Sequence, residues 1–288
     1  MNTLDYLTGP QAGVFWPGVV TALLVAALGA LLSPLVVLKR LAFIGQGVSH
    51  AAFGGVGLGL ALGLGGASLA DEVALQAVVL VFSIGAALGI AWLSARPETK
   101  PDTAIGIVLA AAMALGFILY RVAGQRASEA GTRRPPALES VLFGDVISAS
   151  WSDALFAGLV LALVALGLWW TRRRLVFWGF DEPASRAFGV PEGSTRTTLL
   201  VLLAVSVVVA VNLAGIVLAT ALFVLPGAIA LARSTRLGWV WGWSVVSAVA
   251  SALLGLVVSF EADLMPGPSV VLAMTGVFLL ARLLPRGA

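Results

Sequence analysis

Long apolar stretches separated by short polar or basic connections dominate the chain. A helix needs roughly 20 apolar residues to cross a bilayer, and nine stretches come near that length. They cover about residues 14–38, 41–64, 73–95, 103–122, 151–170, 197–211, 215–231, 239–260 and 269–284. The pattern predicts an all-α polytopic membrane protein with about eight to nine transmembrane helices.

Basic residues follow every second stretch, at residues 39–40, 96–100, 172–174 and 233–236. Basic connections usually remain in the cytoplasm, so we expect the N-terminus outside and the C-terminus inside. The arginines of residues 123–150 argue the other way, but alternation of the stretches places that connection outside. Only residues 212–214 separate the sixth and seventh stretches, which predicts a tight hairpin.

The composition supports a lipid environment and excludes several kinds of chemistry. Hydrophobic residues make up 60% of the chain and charged residues 11%, against about 25% charged in soluble domains. The absence of cysteine excludes disulfides, thiolate metal sites and cysteine nucleophiles. Net charge is +3, but the arginines lie between apolar stretches, so we expect a lipid membrane and not nucleic acid as the partner. The N-terminus has no basic region typical of a cleavable signal.

The only histidine, His50, lies inside the second apolar stretch. Gln46 is four residues earlier, so on a helix both side chains share one face. Such a histidine could be a satisfied core residue, but polar side chains at membrane depth are costly and usually functional. We therefore favour a site for a cation or proton. A homodimer would bring two His50 and two Gln46 together, enough for a four-ligand cage.

The connection of residues 175–196 carries a short helix signal. Asp181 is a candidate N-cap, Pro183 lies in the first turn, and Gly189 and Pro191 end the helix. Two interpretations are open, an amphipathic connector lying on the membrane or a docking helix for a cytosolic motor. The chain has no GxxxxGK[ST] phosphate loop of its own, so energy from a partner is favoured.

Two alternative functions would use the same residues. A self-sufficient proton-coupled secondary carrier would use His50 as its relay. An intramembrane hydrolase would need partners for Ser49 and His50, but the sequence has no HExxH pair and no carboxylate inside a span to orient the ring.

Five segments in order resemble the zinc/manganese/iron permease family of ATP-binding-cassette importers, also called ABC-3. They are VVLKRLAFIGQGVSHAAFGG (36–55), VLFGDVIS (141–148), FDEPASRAFGV (180–190), LATALFVLPGAIA (218–230) and DLMPGPSVV (263–271). The resemblance implies one transmembrane permease domain over residues 1–288, of the type II-like importer class. Within it, residues 175–196 would form a cytoplasmic coupling segment.

The resemblance also implies the partners and the cargo. A homodimer of permease copies would work with a cytosolic ABC ATPase dimer and an extracellular or periplasmic metal-binding protein. The permease would have no enzymatic activity and no permanently bound cofactor, since ATP binds the partner only. It would lie in the inner or plasma membrane of a prokaryote.

The family pattern Gly-Asp-x-x-x-His places metal contacts at Gln46 and His50, with Gln46 standing where the family has aspartate. Losing two carboxylates per dimer favours a softer, nitrogen-seeking metal, so we expect zinc first and manganese or iron next. The same resemblance assigns contact with the ATPase to four residues: Asp181, Glu182, Ala184 and Gly189.

Overall fold

A computed structural model describes residues 12–64, 68–94, 96, 98–129, 144 and 146–283. Its helices are α1 (Ala12–Leu38), α2 (Ala42–Ala61), α3 (Leu69–Ser94), α4 (Pro101–Glu129), α5 (Trp151–Phe180), α6 (Glu182–Ala187), α7 (Glu192–Leu222), α8 (Leu225–Arg233), α9 (Leu237–Ala262) and α10 (Pro266–Leu283). A 3-10 turn, Val146–Ser148, precedes α5.

Within the described residues, seven helical stretches are long and apolar enough to cross a membrane. They are Gly13–Leu38, Ala70–Ser94, Asp102–Glu129, Trp151–Phe180, Glu192–Arg233, Leu237–Ala262 and Pro266–Leu283. The 20-residue α2 is not among them, because Gln46, His50 and its many glycines lower its hydropathy.

One of these stretches, Glu192–Arg233, is too long for one crossing. Its 42 residues would extend about 63 Å as a straight helix, against roughly 30 Å for the hydrocarbon core of a bilayer. The chain turns at Gly215, whose backbone angles, φ 80° and ψ 165°, are not helical. We therefore assign two crossings to this stretch.

Packing at and after Gly215 supports the reversal. After Gly215 the chain follows α1 in the direction of α1 itself. The packed pairs along that path are Gly18 with Ile147, Gly144 with Gly215, Gly29 with Leu222 and Gly227 with Ser33. The predicted hairpin is therefore present, although it is a break within α7 and not a separate loop.

Helix α2 runs beside α3 and α4 over its whole length, held by close contacts at glycine. A Cβ on Gly57 would lie 2.6 Å from the carbonyl oxygen of Gly116, so only glycine permits this approach of α2 to α4. At the end of α2, Arg126 of α4 donates a hydrogen bond to the carbonyl oxygen of Ala61 at 3.0 Å. Because α2 matches the height of two crossing helices, it makes a crossing as well.

Helix α1 forms the centre of the other half of the molecule. Ser33 accepts a 2.7 Å hydrogen bond from the backbone N–H of Gly227, where α8 touches α1. From α9, Ser244 donates to the carbonyl oxygen of Ala30 at 2.7 Å. These bonds satisfy hydroxyl groups that lipid would leave unpaired, so α1, α8 and α9 form one packed unit.

The fold prediction of an all-α polytopic membrane protein is confirmed: in the described part of the chain, the seven candidate spans, the break at Gly215 and α2 make nine assigned crossings. The end of α5 differs most from the pattern. Helix α5 continues ten residues past the predicted end at Trp170, to Phe180, because the exposed arginines at 172–174 end the apolar stretch but are good helix formers. Most of the predicted outer connection, including residues 130–143, lies outside the described residues.

Candidate functional site

The turn before α2 fixes where the candidate site begins. Helix α1 ends at Leu38, and Arg40 adopts the left-handed conformation with φ 55°. The N–H of Leu41 bonds the carbonyl oxygen of Val36 at 2.8 Å, and that of Arg40 bonds Val37 at 3.1 Å. This pair of bonds is the Schellman motif that closes a helix C-terminus. Helix α2 therefore leaves α1 at a defined angle after a three-residue connection.

One face of α2 is left open by the rest of the chain. Phe43 is 59% exposed, Gln46 is exposed and His50 is partly buried, and their spacing of three and four residues places them on one side. The neighbouring glycines, among them Gly47 and Gly54, pack instead against α3 and α4. The sequence prediction that Gln46 and His50 share a face is confirmed.

His50 has an unusual environment for a polar side chain. Its Nδ1 atom is buried and has no hydrogen-bond partner. His50 lies about 12 Å along α2 from Ala42, in the first half of this 20-residue helix. The neighbouring Ser49 is satisfied, because its hydroxyl donates to the carbonyl oxygen of Gly45 at 2.8 Å. Because Nδ1 is covered by the chain itself, a ligand would reach His50 only through the part of the side chain that is exposed.

Gln46 and His50 offer an amide oxygen and an imidazole nitrogen, two donors from one copy. Among the described residues, no three side chains of histidine, cysteine, aspartate or glutamate come together as a metal site. Zinc in proteins usually has four ligands. A second copy of the open face would supply the other two donors.

The predicted coupling residues lie together on the connection from α5 to α7. Asp181 follows the last residue of α5 and caps α6, accepting a 2.9 Å hydrogen bond from the N–H of Ala184. Gly189 ends the segment in the left-handed conformation, with φ 76°. The short helix predicted in this connection is confirmed as α6. The ends of the predicted segment, residues 175–180 and 192–196, belong to the longer helices α5 and α7.

Glu182 joins the coupling segment to its surroundings through ion pairs. Its carboxylate accepts bonds from Lys39 at 2.8 Å and from Arg186 at 2.6 Å. Arg186 also bonds Glu192 in the first turn of α7 at 2.6 Å. The segment is therefore tied to the end of α1 on one side and to α7 on the other.

The hydrogen bond from Lys39 lowers the pKa of Glu182 below its usual value, because it stabilises the charged carboxylate; partial burial opposes this effect and Arg186 adds to it. A lowered carboxyl pKa stabilises the fold at neutral pH, and that stabilisation is lost only as pH falls through the lowered pKa. The Glu182 carboxylate is thus charged throughout the physiological range.

The pair Gln46 and His50 lies on α2, apart from the coupling residues on the connection from α5 to α7. Two further residues belong to the coupling segment or contact it. The sequence indicates only topology at Lys39, yet Lys39 contacts Glu182 of the coupling segment. Phe188, at the end of α6, is 80% exposed, with its ring centroid 5.8 Å from that of Phe177. Its place in the FDEPASRAFGV block was a signal for Phe188, but no local spacing connects Lys39 with a residue 143 positions away.

Comparison with known proteins places this geometry in a family. A probable iron transport system membrane protein of Haemophilus influenzae is 26% identical over 279 residues, 96% of each chain. The manganese transport system membrane protein MntB of a Synechocystis strain is 31% identical over 259 residues, 88% of this chain and 77% of that protein. The solved structure of PsaBC from Streptococcus pneumoniae in complex with Fab has a TM-score of 0.80 and 27% identity, covering 96% of this chain and 93% of that one.

These similarities confirm that the chain is a transport subunit and not an enzyme, and that it is a multi-pass protein of the prokaryotic inner or plasma membrane. They give no support to the alternative of a self-sufficient proton-coupled carrier. Residues 11–284 match the ABC 3 transport family, and the chain belongs to that family.

Proposed function

We propose that this chain is the permease subunit of an ABC importer for divalent metal ions, with zinc as the first candidate and manganese or iron next. One observation carries the proposal: the partly exposed His50, whose Nδ1 atom makes no hydrogen bond, lies beside Gln46 on the open face of α2. Neutral imidazole is a common ligand of zinc and of other transition metals. The names of similar proteins, which specify manganese and iron transport, support a metal as the cargo.

The permease works as a homodimer in this proposal. The open faces of two α2 helices meet around the transport path, and each gives His50 and Gln46 to a transient four-donor site. A symmetric dimer is the commonest way for a chain to complete such a site. Because the site is shared, it opens and closes when the two helices move relative to each other.

The identity of the donors decides the order of metals. Two amide oxygens and two imidazoles carry no negative charge, whereas manganese prefers carboxylate oxygen and zinc accepts imidazole readily. Gln46 therefore favours zinc over manganese at this position. The cargo passes through the site as a substrate, and the permease catalyses no reaction on it.

The coupling segment is the contact with a cytosolic ATPase dimer. The shape of this segment depends on four residues: Asp181, Glu182, Ala184 and Gly189. The exposed Phe188 ring is the apolar anchor for the partner. ATP binding closes the two ATPases and pulls this segment, which opens the path toward an extracellular or periplasmic binding protein. Hydrolysis then resets the permease inward.

Radiolabelled zinc and manganese uptake into sealed vesicles tests the proposal. The vesicles hold the permease with its ATPase and binding protein, with or without internal ATP. We expect ATP-dependent uptake with zinc preferred, and loss of uptake in the His50→Ala variant. The Ser49→Ala variant is the matched control, because Ser49 bonds only within its own helix.

Uptake without ATP would overturn the importer assignment. ATP hydrolysis by the whole complex without uptake of either metal would overturn the metal assignment of His50. ATP-dependent uptake that survives His50→Ala would move the site elsewhere in the chain.

A further inference from the structure

We infer that Lys39 is a positioning residue that transmits movement of the coupling segment to the helix carrying Gln46 and His50. The inference rests on the proposed function, because it names how the ATPase contact reaches the metal site. It concerns a contact between the end of α1 and the start of α6, two parts of the chain that are 143 residues apart.

Lys39 is held on two sides. Its Nζ atom donates a 2.8 Å hydrogen bond to Glu182 and lies 3.9 Å from the ring centroid of Trp178, which is buried. The side chain is only 11% exposed. A cation between a carboxylate and an aromatic face, shielded from water, is restrained more strongly than a surface pair. Lys39 therefore fixes the distance between the coupling segment and the end of α1.

The turn around Lys39 leads directly to the metal site. Lys39 lies one residue before Arg40, whose left-handed conformation closes the Schellman motif, and α2 starts at Ala42. Gln46 is seven positions beyond Lys39, on an uninterrupted helix. Because α2 is a continuous helix, a displacement of the turn also displaces His50, which lies about 12 Å from the start of α2.

The other end of the contact is also stiff. Glu182 lies in α6, which Asp181 caps and which Arg186 ties to Glu192 of α7. When a partner moves α6, the Glu182 carboxylate therefore moves with it, because α6 keeps its shape. The continuous path is α6, Glu182, Lys39, the α1–α2 turn and α2.

A network of this kind predicts a specific defect. Without the Lys39 charge the partner still binds and hydrolyses ATP, but α2 no longer follows the coupling segment. The expected defect is a lower number of metal ions moved for each ATP hydrolysed. A purely structural role would instead reduce the amount of assembled complex.

The first measurement compares Lys39→Met with Lys100→Met in the reconstituted complex. Methionine keeps an unbranched apolar side chain, and Lys100 is the only other lysine, exposed just before α4. We expect Lys39→Met to lower the ratio of metal uptake to ATP hydrolysis by roughly tenfold, within the range that coupled elements show. Lys100→Met leaves the ratio unchanged.

Glu182→Gln completes a double-mutant cycle. If the two residues act as one link, the double variant has the same defect as each single variant. Additive defects would mean that Lys39 and Glu182 act separately, and would overturn the inference. An unchanged ratio in Lys39→Met would do the same.

The second measurement needs no metal. Amide hydrogen exchange of residues 41–50 is followed in the intact complex, with and without a non-hydrolysable ATP analogue. We expect the analogue to change exchange in the wild type and not in Lys39→Met. Equal responses in the two proteins, or none in the wild type, would overturn the inference. Failure of the proposed function gives a different result, in which the wild type takes up no metal but this exchange response remains.

Discussion

The two regions assigned to transport differ in how their polar groups are satisfied. In the coupling segment, Asp181 caps α6, Glu182 accepts bonds from two cations, and Arg186 bridges α6 to α7. In α2, the buried Nδ1 atom of His50 makes no hydrogen bond. One region pairs its polar groups within the chain, and the other leaves a polar atom unpaired.

This difference follows from what each region does in the proposed cycle. A segment that transmits force has to keep its shape, so its charges are paired within the chain. A site that binds and releases an ion has to leave donor atoms unpaired, since a satisfied nitrogen has nothing to offer a metal. Substitutions at the cap and turn residues of the coupling segment should therefore lower its stability, whereas substitution of His50 should lower transport with little change in stability.

The largest effect is expected from His50→Ala. Removing an inner ligand should reduce metal uptake by at least about 100-fold, because losing an outer-sphere partner alone costs roughly 10–100-fold. Stability should change little, since no hydrogen bond of Nδ1 is lost. Uptake and the thermal unfolding midpoint are measured on the same preparation. Unfolding of the variant at a much lower temperature would identify His50 as a structural residue instead.

Gln46→Asp should change selectivity and not total transport. The substitution adds two carboxylates per dimer, and carboxylate oxygen suits manganese better than an amide does. We expect the ratio of manganese to zinc uptake to rise by roughly tenfold, equivalent to about 1.4 kcal/mol. Competition between the two labelled metals in vesicles measures the ratio, with Gln46→Asn as the uncharged control. The same ratio in all three proteins would remove the charge argument for zinc.

Gly189→Ala should destabilise the coupling segment. Gly189 has φ 76° with open space around its Cα, so the cost is the backbone conformation alone, roughly 1–2 kcal/mol for an L-residue. Faster amide exchange in residues 181–190 reports it. Gly193→Ala is the matched control, because Gly193 is also surrounded by open space but lies within the first turn of α7. A similar loss at both positions would mean that the left-handed turn is not required.

Asp181→Ala should have the smallest effect. It removes the hydrogen bond to the N–H of Ala184, and losing such a cap costs about 1 kcal/mol. Asp181→Asn should restore most of it, since asparagine caps nearly as well. The same exchange measurement separates the two variants. If asparagine fails as alanine does, the charge of Asp181 stabilises α6 and its hydrogen bond to Ala184 does not.

The spans could be predicted because hydropathy and chain length are local properties. The face shared by Gln46 and His50 followed from helix periodicity, and the cap at Asp181 from its position before Pro183. Even the reversal near Gly215 was visible, since residues 197–231 are too long for one crossing. The sequence did not show that this reversal would be a break within a helix. That form depends on the packing of Gly144 and the 3-10 turn against α7.

The contacts of Lys39 lay beyond prediction from sequence. Its bond to Glu182 depends on how α1 and α5 cross, and nothing in either segment specifies the other. The unpaired state of His50 Nδ1 is equally a tertiary property. Helix periodicity placed His50 on a face but could not determine which neighbours would reach it. The exposure of Phe188 likewise follows from the angle at which α6 leaves α5.

Zinc binding to the purified permease tests the central claim most directly, that the open α2 faces of two copies hold one divalent ion. Equilibrium dialysis with labelled zinc gives the number of ions per chain, and light scattering gives the number of chains per particle. The account predicts one zinc for every two chains in a dimer, and loss of that zinc in His50→Ala. One zinc for each chain, or unchanged binding in His50→Ala, would contradict it.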